Sequence, residues 1–210
     1  MWPETQDTEN LLAQAREGDE GAVNALLDRH RDSVRRLIDL RMDRVLKRRV
    51  DASDIVQDVM IEAHRRLEVY LENPVMPFHL WLRQMAKDRL IDAHRRHRGA
   101  ARRSIDREQP LVSAASSGST VDLLGQLHDG GLTPAAEATW RELQVRFEQA
   151  CQQLEPVDQE IVFMRHFEHL TNQEAAVSLD LSPQAASMRY LRAMRRLREL
   201  LGSSEQSSAD

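Results

Sequence analysis

The sequence predicts an all-α protein: two helical domains joined by a flexible linker, the C-terminal one carrying a helix-turn-helix. Three observations predict it. Aromatic residues are 4% and charged residues 30% of the 210, a balance that favours helices, because strand-rich domains lean on aromatic and β-branched side chains. Apolar residues recur at spacings of three and four through most of the chain. One stretch, "LVSAASSGSTVDLLGQLHDGGLTP", is rich in Ser, Gly and Ala and sustains no period, as a linker does.

Residues 1–10 are acidic and lack an apolar run, so they are expected to form a disordered N-terminus and not a signal peptide. The first domain is expected over 11–103. Leu11, Leu12, Ala15, Ala22, Leu26 and Leu27 share helical spacing, and so do Val34, Leu37 and Ile38. A further helix opens at "DASDIVQDVMIEAHRRL" with Asp51 as N-cap. Its apolar positions Ile55, Val56, Val59, Met60, Ala63 and Leu67 form one stripe. In "ENPVMP" the two prolines, Pro74 and Pro77, cannot occupy a helix interior. The next helix begins near Phe78, buries Trp81, Leu82, Met85 and Leu90, and runs into a basic stretch.

The linker is placed at 104–133, the second domain at 134–201, and a disordered tail at 202–210. Thr133-Pro134 supplies an N-cap and a first-turn proline. Trp140, Leu143, Phe147, Ala150 and Leu154 mark a helix ending before Pro156, and Ile161, Val162 and Met164 mark a shorter one. Thr171 and Glu174 have the spacing of a capping box, opening a helix that ends near Leu179. Ser182 caps the last helix, Pro183 is its first residue, and it extends to about Leu201. Two helices joined by three or four residues, the second rich in Arg, match a helix-turn-helix. Asp180 occupies the turn position where glycine is usual, and Asp tolerates the left-handed backbone better than most residues. Leu191, Met194, Leu197 and Leu201 are expected to face inward.

Charge is distributed unevenly. The formal net charge is −5, yet eight Lys and Arg lie between Arg83 and Arg103 against only Asp88 and Asp92. Five Arg occupy 189–198 with no acidic residue among them, which favours contact with phosphates over a merely solvated helix end. Asp51, Asp54, Asp58 and Glu62 line one helix face; they read as a negative docking surface more simply than as a Mg²⁺ site. The pairs His94/His97 and His166/His169 have ligand-compatible spacing, but Arg95, Arg96 and Arg98 crowd the first and no Cys accompanies the second. No phosphate loop, nucleophile elbow or HExxH is present. No enzyme and no cofactor are expected. The single Cys151 reads as a free core thiol and gives no sign of an oxidising compartment. No apolar stretch approaches about 18 residues, so no membrane insertion and a cytoplasmic location are expected.

Taken together, these segments resemble the extracytoplasmic-function sigma factors of bacterial RNA polymerase. "DASDIVQDVMIEAHRRL" is similar to the family helix D-x-x-D-[LIV]-V-Q-[ED], which implies a core-polymerase surface at Asp51, Asp54, Gln57 and Asp58. "FHLWLRQMAKDRLIDAHRRHRGAARR" is similar to the helix that binds and helps to melt the minus-10 element, which implies DNA contacts from Lys87, Asp88, Arg95, Arg96 and Arg98. "LEPVDQEIVFMRHFEHLTNQEAAVSLDLSPQAASMRYLRAMRRLRELL" resembles the fourth region of the family. This implies minus-35 contacts from Gln184, Ala185, Ser187, Met188, Arg189 and Arg192. The resemblance makes core RNA polymerase and promoter DNA the expected partners, with an anti-sigma factor as a further one. Two departures are visible: Asp88 replaces a frequent Asn, and Ser187-Met188 replaces a frequent Lys-Ser. The competing reading is a free-standing helix-turn-helix regulator, a class that needs a ligand or phosphoacceptor domain; 11–103 reads as helices without one.

Overall fold

The computed structural model describes residues 2–3, 5–102, 142–143, 145–147 and 149–206, with the backbone alone at 44–45, 97–102 and 203–206. The chain divides into two compact units, Met1–Arg107 and Glu108–Asp210. The linker expected at 104–133 lies outside the described residues, as do Trp140 and the proposed cap at Thr133-Pro134.

The first unit holds α1 (Thr5–Arg16), α2 (Glu20–Arg41), the single turn α3 (Arg44–Lys47), α4 (Ala52–Glu72) and α5 (Phe78–Arg102). The sequence reading began its first helix at 11 and left 1–10 without structure. Instead α1 starts at Thr5, and the partly buried Trp2 packs against the first core. The apolar run Leu11–Leu27 does not form one helix either. Gly18 adopts φ +88, a left-handed backbone that only glycine takes freely. Asp19 then caps α2, accepting hydrogen bonds from the Gly21 and Ala22 amides.

Helix α2 is the centre of this unit. Its stripe Leu26, Val34, Leu37 and Ile38 is wholly buried and meets α1, α4 and α5. Burial of one such side chain contributes about 1.5–3 kcal/mol. The predicted α4 stripe is observed: Ile55, Val56, Val59, Met60, Ala63 and Leu67 are all buried. The break at Pro74–Pro77 is pinned by Tyr70, whose hydroxyl donates to the Met76 carbonyl at 2.9 Å. The Tyr70 ring also stacks on Trp81 at 4.7 Å and meets Phe78 edge-on.

Beside these rings lies His30, 1% exposed. Its ring contacts Trp2 and Phe78, and its Nε2 lies 3.2 Å from Thr8 Oγ1. Burial above all, with His79 and Arg29 adding repulsion, lowers its pKa from 6.5 to about 4. The unfolded chain therefore takes up a proton below pH 6.5 that the folded chain refuses. This stability is fully present above the unfolded value and is lost as pH falls towards 4. Between pH 7.5 and 5 the first unit should lose roughly 2 kcal/mol from this group. Urea unfolding of the full chain at the two pH values measures it, and His30→Phe should flatten the difference. An unchanged slope in that variant would assign the acid sensitivity elsewhere.

In the second unit, residues 142–143, 145–147 and 149–152 are helical. Then come α6 (Pro156–His166), α7 (Asn172–Ser178) and α8 (Pro183–Gln206). Helix α8 extends past Leu201, into what the sequence reading left as tail. The core is Ala150, Leu154, Ile161, Val162, Met164, Leu170, Ala175, Ala176, Ala186, Ala193 and Leu197. Cys151 is buried and forms no disulfide. Leu191 departs from expectation: it is 55% exposed. The inward stripe of α8 is Ala186, Ala193 and Leu197, because close approach of α6 and α7 selects small side chains at the contact. Leu191 lies two residues from Ala193, about 200° around the helix.

Candidate nucleic-acid and protein interfaces

The acidic face of α4 begins at its cap. Asp51 accepts from the Ser53 amide at 2.8 Å. That bond, with the Ser53 hydroxyl and the Arg35 charge, holds its carboxyl below the usual carboxylate range. Arg35 is itself hydrogen-bonded to Ser53 Oγ at 3.1 Å and near Asp39. One and two turns on, Asp54, Gln57 and Asp58 are exposed. Like charges at i and i+4 repel slightly; Asp54 lies in the first turn, where the helix dipole favours it, whereas Asp58 lies a turn further on, where that benefit has faded. Glu62 is different. It lies 3.2 Å from Arg89 on α5 and 3.7 Å from Arg66, which removes it from the free acidic face.

That contact also sorts the basic stretch of α5. Arg83 is buried, Arg89 is paired, and Lys87 is half-buried. Asp88, Arg95 and Arg96 are exposed, with Arg96 Nε reaching its own helix at the Asp92 carbonyl. The Arg98 side chain lies outside the described residues, and so does that of His97. His94 faces α3, its Nδ1 3.7 Å from Asp43 Oδ2, while Asp43 Oδ1 caps α3 through the Leu46 amide. Among the described residues no three His, Cys, Asp or Glu side chains are grouped to hold a metal ion.

The helix-turn-helix is built from local signals. Thr171 and Glu174 form the capping box in both directions. The end of α7 is a Schellman motif: Leu181 N–H donates to Ala176 O at 2.9 Å, and Asp180 N–H donates to Val177 O. Asp180 takes φ 54, in the position the motif usually gives to glycine. Ser182 accepts from the Ala185 amide at 3.1 Å, and Asn172 Nδ2 ties the start of α7 to the Pro183 carbonyl at 2.8 Å. The first turns of α8 then present Gln184 and Met188 exposed, with Ala185 and Ser187 half-buried.

The arginines of α8 divide. Arg192 and Arg195 are exposed and make no ion pair among the described residues. Arg196 pairs with Glu199 at 3.3 Å. Arg189 lies 2.9 Å from Asp158 and 3.4 Å from Glu155. Periodicity could not reveal Glu62 opposite Arg89 or Asp158 opposite Arg189, because each pair joins two separate helices.

The chain thus contains a helical unit with an acidic helix face beside a basic helix, and a second unit with a helix-turn-helix. Two family models match it: "Sigma-70 region 2" over residues 26–100 and "Sigma-70, region 4" over residues 144–197, together more than half of the chain. The chain belongs to the sigma-70 family. It is an alternative sigma factor that binds core RNA polymerase and promoter DNA and directs transcription initiation. The fold is similar to that of CnrH, solved in complex with the cytosolic domain of CnrY, at 20% identity and a TM-score of 0.54, over 94% of this chain and 98% of that one. A second solved structure is RpoE in complex with the anti-sigma factor NepR from Bartonella quintana. It matches at 18% identity and a TM-score of 0.46, over 82% of this chain and 91% of that one. No curated protein matches the chain. None of the described helices is long and apolar enough to cross a membrane.

The left-handed Asp180 gives a direct test of the turn. Replacing it by Gly should be neutral or stabilise the second unit by up to about 0.5 kcal/mol, whereas Val should cost about 1–2 kcal/mol. Thermal unfolding of the three full-length proteins measures this. An Asp180→Val variant as stable as the parent would contradict the left-handed turn.

Proposed function

We propose that the three exposed surfaces divide the work of initiation between them. Asp51, Asp54, Gln57 and Asp58 on α4 dock a basic surface of the core polymerase. Lys87, Asp88, Arg95, Arg96 and Arg98 on α5 meet the minus-10 element. Gln184, Ala185, Ser187 and Met188 approach base edges of the minus-35 element, while Arg192 holds a phosphate. The observation that carries this reading is the pair Asp54 and Asp58, exposed and mutually repulsive on a helix whose other face is core. A partner surface of opposite charge relieves that repulsion.

The chain carries no catalysis of its own in this reading; it selects the site at which polymerase acts, in the cytoplasm. An anti-sigma factor is the natural competitor for the same surfaces, as CnrY and NepR are partners of CnrH and RpoE. The segment 104–133 sets the reach between the two DNA contacts, which are about 50 Å apart for one and a half turns of B-DNA. Each contact alone is weak, and tethering raises the apparent affinity through effective concentration.

Two measurements test this. Asp54→Arg combined with Asp58→Arg should lower affinity for core polymerase by at least about tenfold, with the helical circular dichroism spectrum unchanged. If the double variant displaces labelled parent from core as well as the parent itself does, the docking assignment is wrong. Deleting Ser113–Gly131 leaves 11 residues of the segment 104–133, nine before the cut and two after it, which span at most about 40 Å in any conformation, short of the separation of the two elements. Run-off transcription with reconstituted holoenzyme should then fail at promoters of natural spacing, and an equal-length Gly/Ser replacement should restore much of it. Normal initiation by the deletion would show that the segment does not limit reach.

A further inference from the structure

The start of α8 is tied to the start of α6 by a fork of charges. Arg189 Nη1 lies 2.9 Å from Asp158 Oδ1 and 3.4 Å from Glu155 Oε2. Asp158 is well covered, its side chain 15% exposed, while Glu155 is 75% exposed, so the Asp158 arm is the more sheltered. Both carboxylates belong to the α6 N-terminus: Glu155 is its N-cap residue and Asp158 lies in its first turn. Free amides and the helix dipole favour negative charge there. Glu155 makes no side-chain cap hydrogen bond, so the sheltered Asp158 is the anchor for what α8 brings and Glu155 adds to its negative field.

What α8 brings is Arg189, next to the buried stripe of Ala186, Ala193 and Leu197. Two of those three side chains are single methyl groups. They let the helices approach closely but interlock little, so apolar packing alone fixes the rotation of α8 weakly. We propose that Arg189 is a positioning residue: by holding Asp158 it sets the rotation of α8, and with it the direction in which Gln184 and Met188 point, and it does not hold a promoter phosphate. The inference rests on the reading of α8 as the minus-35 helix. A phosphate placed on Arg189 would lie within a few ångströms of two carboxylates, where like charges repel strongly. Arg192, about 60° further round the helix on the other side, meets no such carboxylate among the described residues.

The test uses holoenzyme reconstituted with the full chain. Binding is measured to a promoter fragment recovered by mapping transcript starts, and to the same fragment with its upstream element scrambled, over a range of salt. Arg192→Ala should weaken binding to both fragments alike and lower the slope of log affinity against log salt by about one. Arg189→Ala and Asp158→Asn should each lower the preference for the intact element about threefold to tenfold while leaving the slope unchanged. The exchange variant, Arg189→Asp with Asp158→Arg, should recover part of that preference, because Glu155 and the α6 N-terminus favour the native polarity.

The proposal is overturned if Arg189→Ala lowers the slope by about one and Asp158→Asn binds like the parent, because Arg189 is then a phosphate ligand on a helix correctly assigned to DNA. It is overturned also if both single variants lose binding only in proportion to a lowered melting temperature and the exchange variant recovers nothing. If Arg192→Ala and Gln184→Ala alter neither affinity nor slope, α8 does not face DNA. The minus-35 reading then fails, and this proposal with it.

Discussion

The buried side of α2 is the constraint on which the first unit depends. Leu26, Val34, Leu37 and Ile38 leave almost nothing to solvent, and both helices assigned to partners, α4 and α5, pack against them. Because Val59 and Ala63 of α4 and Leu82 and Ala86 of α5 are equally buried, neither helix can rotate without exposing apolar area. Truncating a side chain such as Leu37 would cost about 2–5 kcal/mol and loosen two surfaces at once. The outward positions of Asp54, Asp58, Arg95 and Arg96 are therefore consequences of what lies opposite them. The aromatic group around Tyr70 and Trp81 performs the same service at the Pro74–Pro77 break, where the backbone ladder is interrupted.

Charge is then sorted by pairing. A protein of net charge −5 that must bind DNA has to keep some cations free and mask others. Glu62 masks Arg89 between α4 and α5, and Asp158 with Glu155 masks Arg189 between α6 and α8. Each such pair is partly exposed and contributes little to stability. Its larger effect is on where positive potential emerges: near Arg95 and Arg96 at one site and Arg192 and Arg195 at the other. A phosphate contact adds affinity for every DNA sequence, whereas base contacts discriminate. Fewer free cations therefore leave a larger share of binding to the positions that read sequence.

Elements whose cause is local were legible in the sequence. Asp51, Thr171 with Glu174, and Ser182 with Pro183 mark helix starts because a capping group acts within three residues. Asp180 was flagged as a glycine position, and it takes a left-handed backbone. What was missed depends on distant neighbours. The Leu11–Leu27 periodicity concealed the Gly18–Asp19 break, because the same apolar spacing continues across it. Trp2 looked unattached because nothing in the first ten residues announces His30, 28 positions away. Leu191 was expected in the core on one face with Met194, Leu197 and Leu201, but a contact built for close approach prefers Ala186 and Ala193. Arg189 and Asp158 are 31 residues apart, and only folding shows that they meet.

The two units resemble each other in how they treat their functional helices. In each, a carboxylate from a neighbouring helix takes one arginine out of the field, while Arg95 and Arg96 in the first and Arg192 and Arg195 in the second remain exposed. The arrangement has a thermodynamic consequence for a protein that binds DNA through two tethered contacts. The combined affinity depends on the product of the two site affinities and the effective concentration set by the connection. Masking a cation at each site lowers non-specific affinity twice, so the penalty multiplies for the tethered pair. Contacts to base edges do not depend on those masked cations, so the specific complex is spared the same loss. Under the proposed assignment of Asp54 and Asp58, a factor built this way binds random DNA weakly and gains affinity where polymerase supplies the second contact.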